Sequence, residues 1–353
     1  MDRNNYTFIE TFCGAGGLAL GLIRSGFELE WAFDNDEKAV MTFSKNVSQK
    51  VDKRDINHIS VEEVLQKTGL KPGELTLLSG GPPCQGFSRQ KHKSKKKDRR
   101  NHLILKYIRL VKGLNPKFIL VENVDTFQKK RGTRYIKILR RFLQLNYELL
   151  VYEVNFADYG VPQIRKRTII VGYRKDLDIN YTFPLPTHKN RWVSVWEAIG
   201  HLDSPPEDGS EHPRIPNHYV PNISDLNRER IRYVPQGSGR KCLPKRLQLP
   251  CHRKKTGWPD VYGRMSMNRP APTITCGFDN FTRGRFAHPL HDRPITPREA
   301  AILQGFETDF VFYGNKGEIR NQIGNAVPPI IGYVLGKSIM EALVTKEKCM
   351  VPV

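Results

Sequence analysis

The sequence predicts an α/β fold, a doubly wound and mostly parallel sheet, accompanied by a second, smaller domain. Three observations lead there. Through the first half, short apolar β-rich runs alternate with stretches of helical periodicity, the pattern of a parallel sheet covered by helices on both faces. After about residue 181 proline becomes frequent (Pro184, Pro186, Pro205, Pro206, Pro213, Pro216, Pro221) and the periodicity fades. The length of 353 residues fits two domains better than one.

The elements follow in order. Residues 6–12 read as a strand, and glycines then open a helix over 17–25. A second strand at 28–33 runs up to Asp34, and a helix covers 36–46. A helix at 61–67 leads into a short buried strand at 75–78. A helix at 102–113 precedes a buried strand at 117–121. A helix at 134–145 is followed by strands at 148–154 and 168–173. Loops and short strands are expected over the next hundred or so residues, with basic runs at 228–232 and 240–255. Helical patterns recover at 297–304 and 330–343. In the latter, Ile330, Ile331, Val334, Leu335, Ile339 and Leu343 recur near helical spacing, and this helix is expected to return to the first domain. The domains are therefore drawn as 1–184 with 321–353, and 185–320.

Composition narrows the function. Lys and Arg number 57 against 36 Asp and Glu, a net charge of +21, so a polyanionic partner is expected. There is no long apolar run and no signal peptide, so no membrane role is expected. The six cysteines (Cys13, Cys84, Cys242, Cys251, Cys276, Cys349) are scattered without a CxxC pair. That argues against a disulfide framework and for a reducing cytosol, where one thiol can be reactive. Cys242, Cys251 and His252 lack a fourth ligand at zinc spacing, so no metal is expected.

Four motifs carry chemistry. Phe12-Cys13-Gly14-Ala15-Gly16-Gly17 follows a strand and opens a helix, where glycines let backbone approach a ligand at the carboxyl edge of the sheet. Asp34, about 20 residues on, is placed to hold a ribose. On the residues alone, NAD and S-adenosylmethionine fit this loop equally. Gly80-Gly81-Pro82-Pro83-Cys84-Gln85-Gly86-Phe87-Ser88 follows another strand, so its thiol belongs to the same edge, and the basic run 89–100 favours the thiolate. Glu122 in Val121-Glu122-Asn123-Val124 ends the next strand, where an acid can grip a base edge and donate a proton. Arg165 and Arg167 in Gln163-Ile164-Arg165-Lys166-Arg167 are two apart, so an extended segment points both to one face for phosphate or base contact.

Taken together and in this order, these pieces resemble the cytosine-5 DNA methyltransferase family of the bacterial restriction–modification type. The match resumes at Arg269-Pro270-x-Pro272-Thr273-Ile274-Thr275 and at Arg298-Glu299-Ala300-Ala301-x-Leu303-Gln304-Gly305-Phe306. It closes at Gln322-Ile323-Gly324-Asn325-Ala326-Val327-Pro328. Glu10 departs from the Asp usual before the glycine loop.

The resemblance implies a Rossmann-like S-adenosylmethionine-dependent methyltransferase with a target-recognition domain and hinge in 185–320. It implies sequence-specific methylation of carbon 5 of a flipped cytosine through a covalent Cys84 adduct. Glu122 would hold the base at its ring nitrogen and amino group, Arg167 its carbonyl, and Arg165 would help position it. Phe12 would pack on the adenine of the cofactor, with Gly14, Gly16 and Gly17 in the loop beneath. Asp34 would bind the ribose, Asp55 and Ile56 would meet the adenine edge, and Pro83, Leu103 and Asn325 would complete the pocket. Gln85, Ser88 and Arg100 are the DNA contacts expected in loop 85–101, which closes over the flipped base. Arg228, Arg230, Gln236, Arg240 and Arg246 are the expected readers in the second domain. The implied partner is double-stranded DNA, with a separately acting restriction endonuclease as a candidate companion. The implied state is a cytoplasmic, nucleoid-associated monomer. Three rivals are weighed. An RNA cytosine methyltransferase lacks its Cys-Phe-Thr or Thr-Cys signature here. A dead DNA-binding module would not need Cys84 and Glu122 intact. An NAD enzyme explains only the glycine loop.

Overall fold

Seven strands form one sheet in the order β3-β2-β1-β4-β5-β7-β6. The computed structural model describes residues 6–82, 102–124, 133–250 and 260–350, with side chains at 134 and 346–350 left aside. In chain order the elements are β1 (Thr7–Thr11), α1 (Gly17–Ser25), β2 (Glu28–Asp34), α2 (Glu37–Asn46), β3 (Val51–Lys53), α3 (Val61–Thr68), β4 (Leu77–Gly80), α4 (Leu103–Leu114), β5 (Phe118–Val124), α5 (Thr133–Leu143), β6 (Tyr147–Asn155) and β7 (Lys166–Arg174). Then come α6 (Val195–Ile199), α7 (Asp225–Arg232), α8 (Pro297–Leu303), α9 (Lys316–Asn325) and α10 (Pro329–Met350).

Strands β3, β2, β1, β4 and β5 pair in parallel, and β7 is antiparallel to both β5 and β6. The α/β, mostly parallel expectation holds. The edge strand β3 was not anticipated. It is three residues long and polar, so neither period nor apolarity marks it.

Two compact units divide the chain. The first is Met1–Asn155, Lys166–Leu185 and Pro329–Val353, and the second is Phe156–Arg165 and Pro186–Pro328. Residues 156–165 and 321–328 thus fall in the second unit, not in the first as the drawn boundaries had them.

In the first unit one apolar core lies on the α3–α4 side of the sheet. There Ile9, Trp31, Phe33, Leu78, Ile119 and Val121 meet Ile104, Tyr107, Ile108 and Val111. The other face is covered by α1 and α10, whose backbones touch because Gly21 has no side chain to hold Pro329 away. Tyr181 and Ser338 share a hydrogen bond of 3.0 Å beneath α10. The stretch Lys316–Thr345 is, against expectation, long and apolar enough to cross a membrane. However, 56% of its apolar window is buried inside the fold, and the helix is broken at 326–328.

Among its described residues the second unit does not show the expected short strands. Only isolated bridges occur among them, such as Gln163 with Ala271 and Arg264 with Ala287. Buried arginines hold its loops instead. Arg298, wholly buried, donates to the carbonyls of Pro216 (2.8 Å), Glu307 (3.0 Å) and Phe310 (2.9 Å). Arg264 donates to Val234, His288, His291 and Ile231 and pairs with Asp292. A loop without a ladder leaves carbonyls that need donors, and the guanidinium supplies five in a fixed plane.

Glu10, 3% exposed on β1, sits under the first turn of α1, where the Ala19 N–H donates to it. Its Oε2 has no hydrogen-bond partner among the described residues. Burial, and then the Asp34 charge, push its carboxyl well above the usual range, while the Ala19 bond opposes them. The folded protein therefore keeps a proton that the unfolded chain gives up above a pKa of about 4.3. Stability from this group is full below that pH and is lost as pH rises through the folded value. Thermal melts from pH 5 to pH 9 should fall more steeply for wild type than for Glu10→Gln. Parallel curves would show that Glu10 is not held neutral.

Candidate active site

Parallel pairing sets Thr11 beside Phe33 and Gly80, and Gly80 beside Val121. The carboxyl ends of four strands therefore share one edge, the edge at which open α/β sheets bind ligands.

At β1 the chain turns sharply. Phe12 adopts a left-handed conformation (φ 56°), and Gly14 and Gly16 follow with positive φ. A left-handed aromatic is strained backbone, of the kind that persists where the surroundings impose it. Phe12 rests partly buried against the core. Asp34, the last residue of β2, fastens the loop: its Oδ2 accepts from Gly14 N and its Oδ1 from Asp36 N, both at 2.9 Å. Each oxygen keeps a second lone pair, so the carboxylate can still accept from a vicinal diol. Burial raises its pKa despite those backbone bonds. Nothing lies within 4 Å of where a Gly14 side chain would stand. Asp55 caps the turn Ile56–His58, accepting from Asn57 N at 2.9 Å, and Ile56 is buried below it. Leu103 starts α4 and leans on the same core. A carboxylate, an apolar ring and open glycine backbone suit a nucleoside.

The second cluster lies on β5 and β7. Glu122 and Arg167 are diagonal neighbours across the antiparallel ladder, and Glu122 Oε1 lies 3.0 Å from Arg167 Nε, both largely buried. Gly81, just beyond β4, passes so close that a side chain there would stand 3.1 Å from the Glu122 carbonyl and 3.6 Å from its Oε2. The acid therefore sits against the stem of the loop that carries Cys84. Pro83, Cys84, Gln85, Ser88 and Arg100 themselves lie outside the described residues.

Arg165 departs from the expected strip. It belongs to the second unit, 2% exposed, and donates to the carbonyls of Ile274 (2.8 Å), Gly324 (3.2 Å) and Ala326 (3.1 Å). Gln163 and Gln304 join the same web, with Gln304 donating to Ile323 and Ala326. Asn325 ends α9 in that web and accepts from the Cys276 thiol at 3.3 Å. A spacing of two groups side chains only along a continuous strand, and β7 starts at Lys166.

The expected readers divide likewise. Arg230 is buried and spent on Leu247, Asn227 and Tyr262, and Arg240 is buried as well. Arg228 is half-buried on α7. Gln236 is exposed and bonded to Met267 N, and Arg246 is exposed beside Glu229 and Tyr233. Two site residues were missed: Asn123 and Tyr135, whose side chains reach the carbonyl of Pro82. A tyrosine at helical spacing on α5 reads only as core.

The family model described as C-5 cytosine-specific DNA methylase matches residues 6–341. The chain is 32% identical to the Type II methyltransferase M1.HphI of Haemophilus parahaemolyticus over 339 residues, 95% of this chain and 87% of that one. It is 32% identical to the Type II methylase M.HgiDII of Herpetosiphon aurantiacus over 344 residues, 95% of each. A solved structure, a candidate DNA modification methyltransferase encoded within a prophage of Escherichia coli, superposes with a TM-score of 0.74. It is 26% identical, and the match covers 96% of this chain and 100% of that one.

Arg165→Ala would take the side-chain donor from the Ile274 and Gly324 carbonyls, while Ala326 keeps its bond from Gln304. It should destabilise the protein by about 2 kcal/mol or more, at roughly 1 kcal/mol or more per orphaned group. A denaturant melt indistinguishable from wild type would mean that Arg165 is not a structural clamp.

Proposed function

The chain belongs to the C-5 cytosine-specific DNA methylase family and is a DNA cytosine-5 methyltransferase, and from that membership we propose that Cys84 is its nucleophile, Glu122 its acid and S-adenosylmethionine its methyl donor. The observation that carries the assignment is the Glu122–Arg167 pair against Gly81, three residues before Cys84. The fit of the cofactor rests on Asp34, Phe12 and the open backbone at Gly14. Asp34 would take the ribose hydroxyls, Phe12 would pack on the adenine, and Asp55 with Ile56 would meet its edge.

A thiol with a pKa of about 8.5 is only a few per cent thiolate at neutral pH, and the basic run 89–100 raises that share. The Cys84 thiolate adds to carbon 6 of the flipped base and forms an S–C bond. The displaced π electrons reach carbon 5, and Glu122 supports them by holding a proton at ring nitrogen 3. Arg167 releases part of its contact with Glu122 to hold the carbonyl oxygen of the base. S-adenosylmethionine, when bound, supplies a methyl on a positively charged sulfur and leaves as the neutral thioether. Solvent water takes the carbon 5 proton, and the electron pair of that C–H bond re-forms the ring double bond as the C6–S bond breaks and the Cys84 thiolate leaves.

The second unit reads the sequence of double-stranded DNA, with exposed Arg246 and Gln236 better placed for it than Arg230 or Arg240. The enzyme works as a cytoplasmic monomer on the nucleoid, opposite a separately acting endonuclease.

Unmethylated genomic DNA incubated with labelled S-adenosylmethionine should acquire 5-methylcytosine in one short motif. Cys84→Ser should lose roughly a thousandfold or more, and Glu122→Gln about a hundredfold or more. Full methylation by Cys84→Ser would sink the assignment. Asp34→Asn should weaken S-adenosylmethionine binding roughly ten- to a hundredfold by calorimetry, the loss of charge-assisted hydrogen bonds. Wild-type affinity should also fall as acid pH protonates Asp34, earlier than for an ordinary aspartate because its pKa is raised. Unchanged affinity in Asp34→Asn would remove it from the site.

A further inference from the structure

The carbonyl of Pro82 is two residues before Cys84, and two buried side chains compete for none of its lone pairs: each takes one. Asn123 Nδ2 donates at 3.1 Å and the Tyr135 hydroxyl at 3.3 Å. The amide is locked the right way round, because Asn123 Oδ1 accepts from Val124 N at 2.9 Å and leaves the nitrogen as the donor. Tyr135 is 3% exposed on α5 and packs in the core. One residue earlier, Gly81 lies against Glu122. Farther back, Tyr107 on α4 donates to the Leu78 carbonyl of β4 at 3.0 Å. The stem of the nucleophile loop is therefore gripped from β5, α4 and α5 at once, in the stretch where two prolines supply no N–H to a ladder.

We propose that Tyr135 is a positioning residue for catalysis: with Asn123 it fixes the Pro82 carbonyl, and so the direction in which the chain delivers Cys84 to the base held by Glu122. This rests on the assignment of Cys84 as nucleophile. A carbonyl held by one donor can swing about that bond, whereas two donors on different elements fix its plane. Misplacement of a nucleophile by a fraction of its reach slows attack without touching binding. Core packing alone would need only the ring of Tyr135. The hydroxyl has a partner whose position matters to the reaction.

The test is Tyr135→Phe, which removes one oxygen and keeps the ring. The readout is the rate of covalent adduct formation with duplex DNA, made from unmethylated genomic fragments with 5-fluorocytosine in place of part of its cytosine. Adduct formation and kcat should fall about three- to tenfold, the worth of one neutral hydrogen bond. The KM for DNA and the affinity for S-adenosylmethionine should stay at wild-type values. If Tyr135→Phe does not fold, Asn123→Asp, which keeps the acceptor for Val124 N and loses the donor, carries the same expectation. Wild-type adduct rates in the variant that folds overturn the proposal. So does a loss matched by an equal loss of cofactor affinity or folded protein, since that marks a purely structural role. Cys84→Ser separates the two layers. If it still forms the adduct, the nucleophile assignment fails. If it is inert while Tyr135→Phe is fully active, only the positioning role fails.

Discussion

Everything chemical in this protein depends on parallel alignment of β1, β2, β4 and β5. Parallel strands end at the same edge, so residues far apart in sequence (Phe12, Asp34, Gly81, Glu122) come to one rim without any of them having to reach. The switch to an antiparallel β7 then brings Arg167 diagonally across from Glu122. A parallel neighbour in that place would present another carboxyl end. The antiparallel strand starts its chain there instead, with a basic residue facing the acid.

The positive charge has two destinations. A surplus of +21 announces a polyanion, and DNA accounts for it. Yet several arginines that look like DNA contacts are internal. Arg165, Arg230, Arg264 and Arg298 spend their donors on main-chain carbonyls of the second unit. That unit has no strand ladder among its described residues, and beside the backbone bonds of its turns and loops, side chains satisfy several of its carbonyls. The buried guanidinium is thus a substitute for secondary structure, and mutational loss at such a site would mimic loss of DNA binding while acting on the fold.

The stem of the nucleophile loop shows how stability and reactivity share atoms. Asn123 follows Glu122, the proposed acid, on β5 and donates to the Pro82 carbonyl, so the strand that presents Glu122 also holds the chain two residues before Cys84. Glu10 shows the opposite economy: a buried carboxyl that accepts from the Ala19 N–H of α1 while its second oxygen has no partner among the described residues.

Much of this was legible in the sequence. Alternating periodicity gave the order of the elements, because a parallel sheet must bury both faces and its strands therefore read as apolar runs between helices. Asp34 and Glu122 were legible because strand ends can be counted from those runs. The short polar β3 was not, since an edge strand need not be apolar. The grouping of Arg165 with Arg167 failed because a spacing of two predicts a shared face only within a strand, and the chain passes between the units at that point. The sequence by itself determined the class of fold, the family and the chemical kind of each rim residue, all of which are local in pattern. Only the tertiary structure decided which arginines are buried and that Tyr135 and Asn123 meet at Pro82, because hydrogen-bond partners far apart in the chain leave no periodic trace in it.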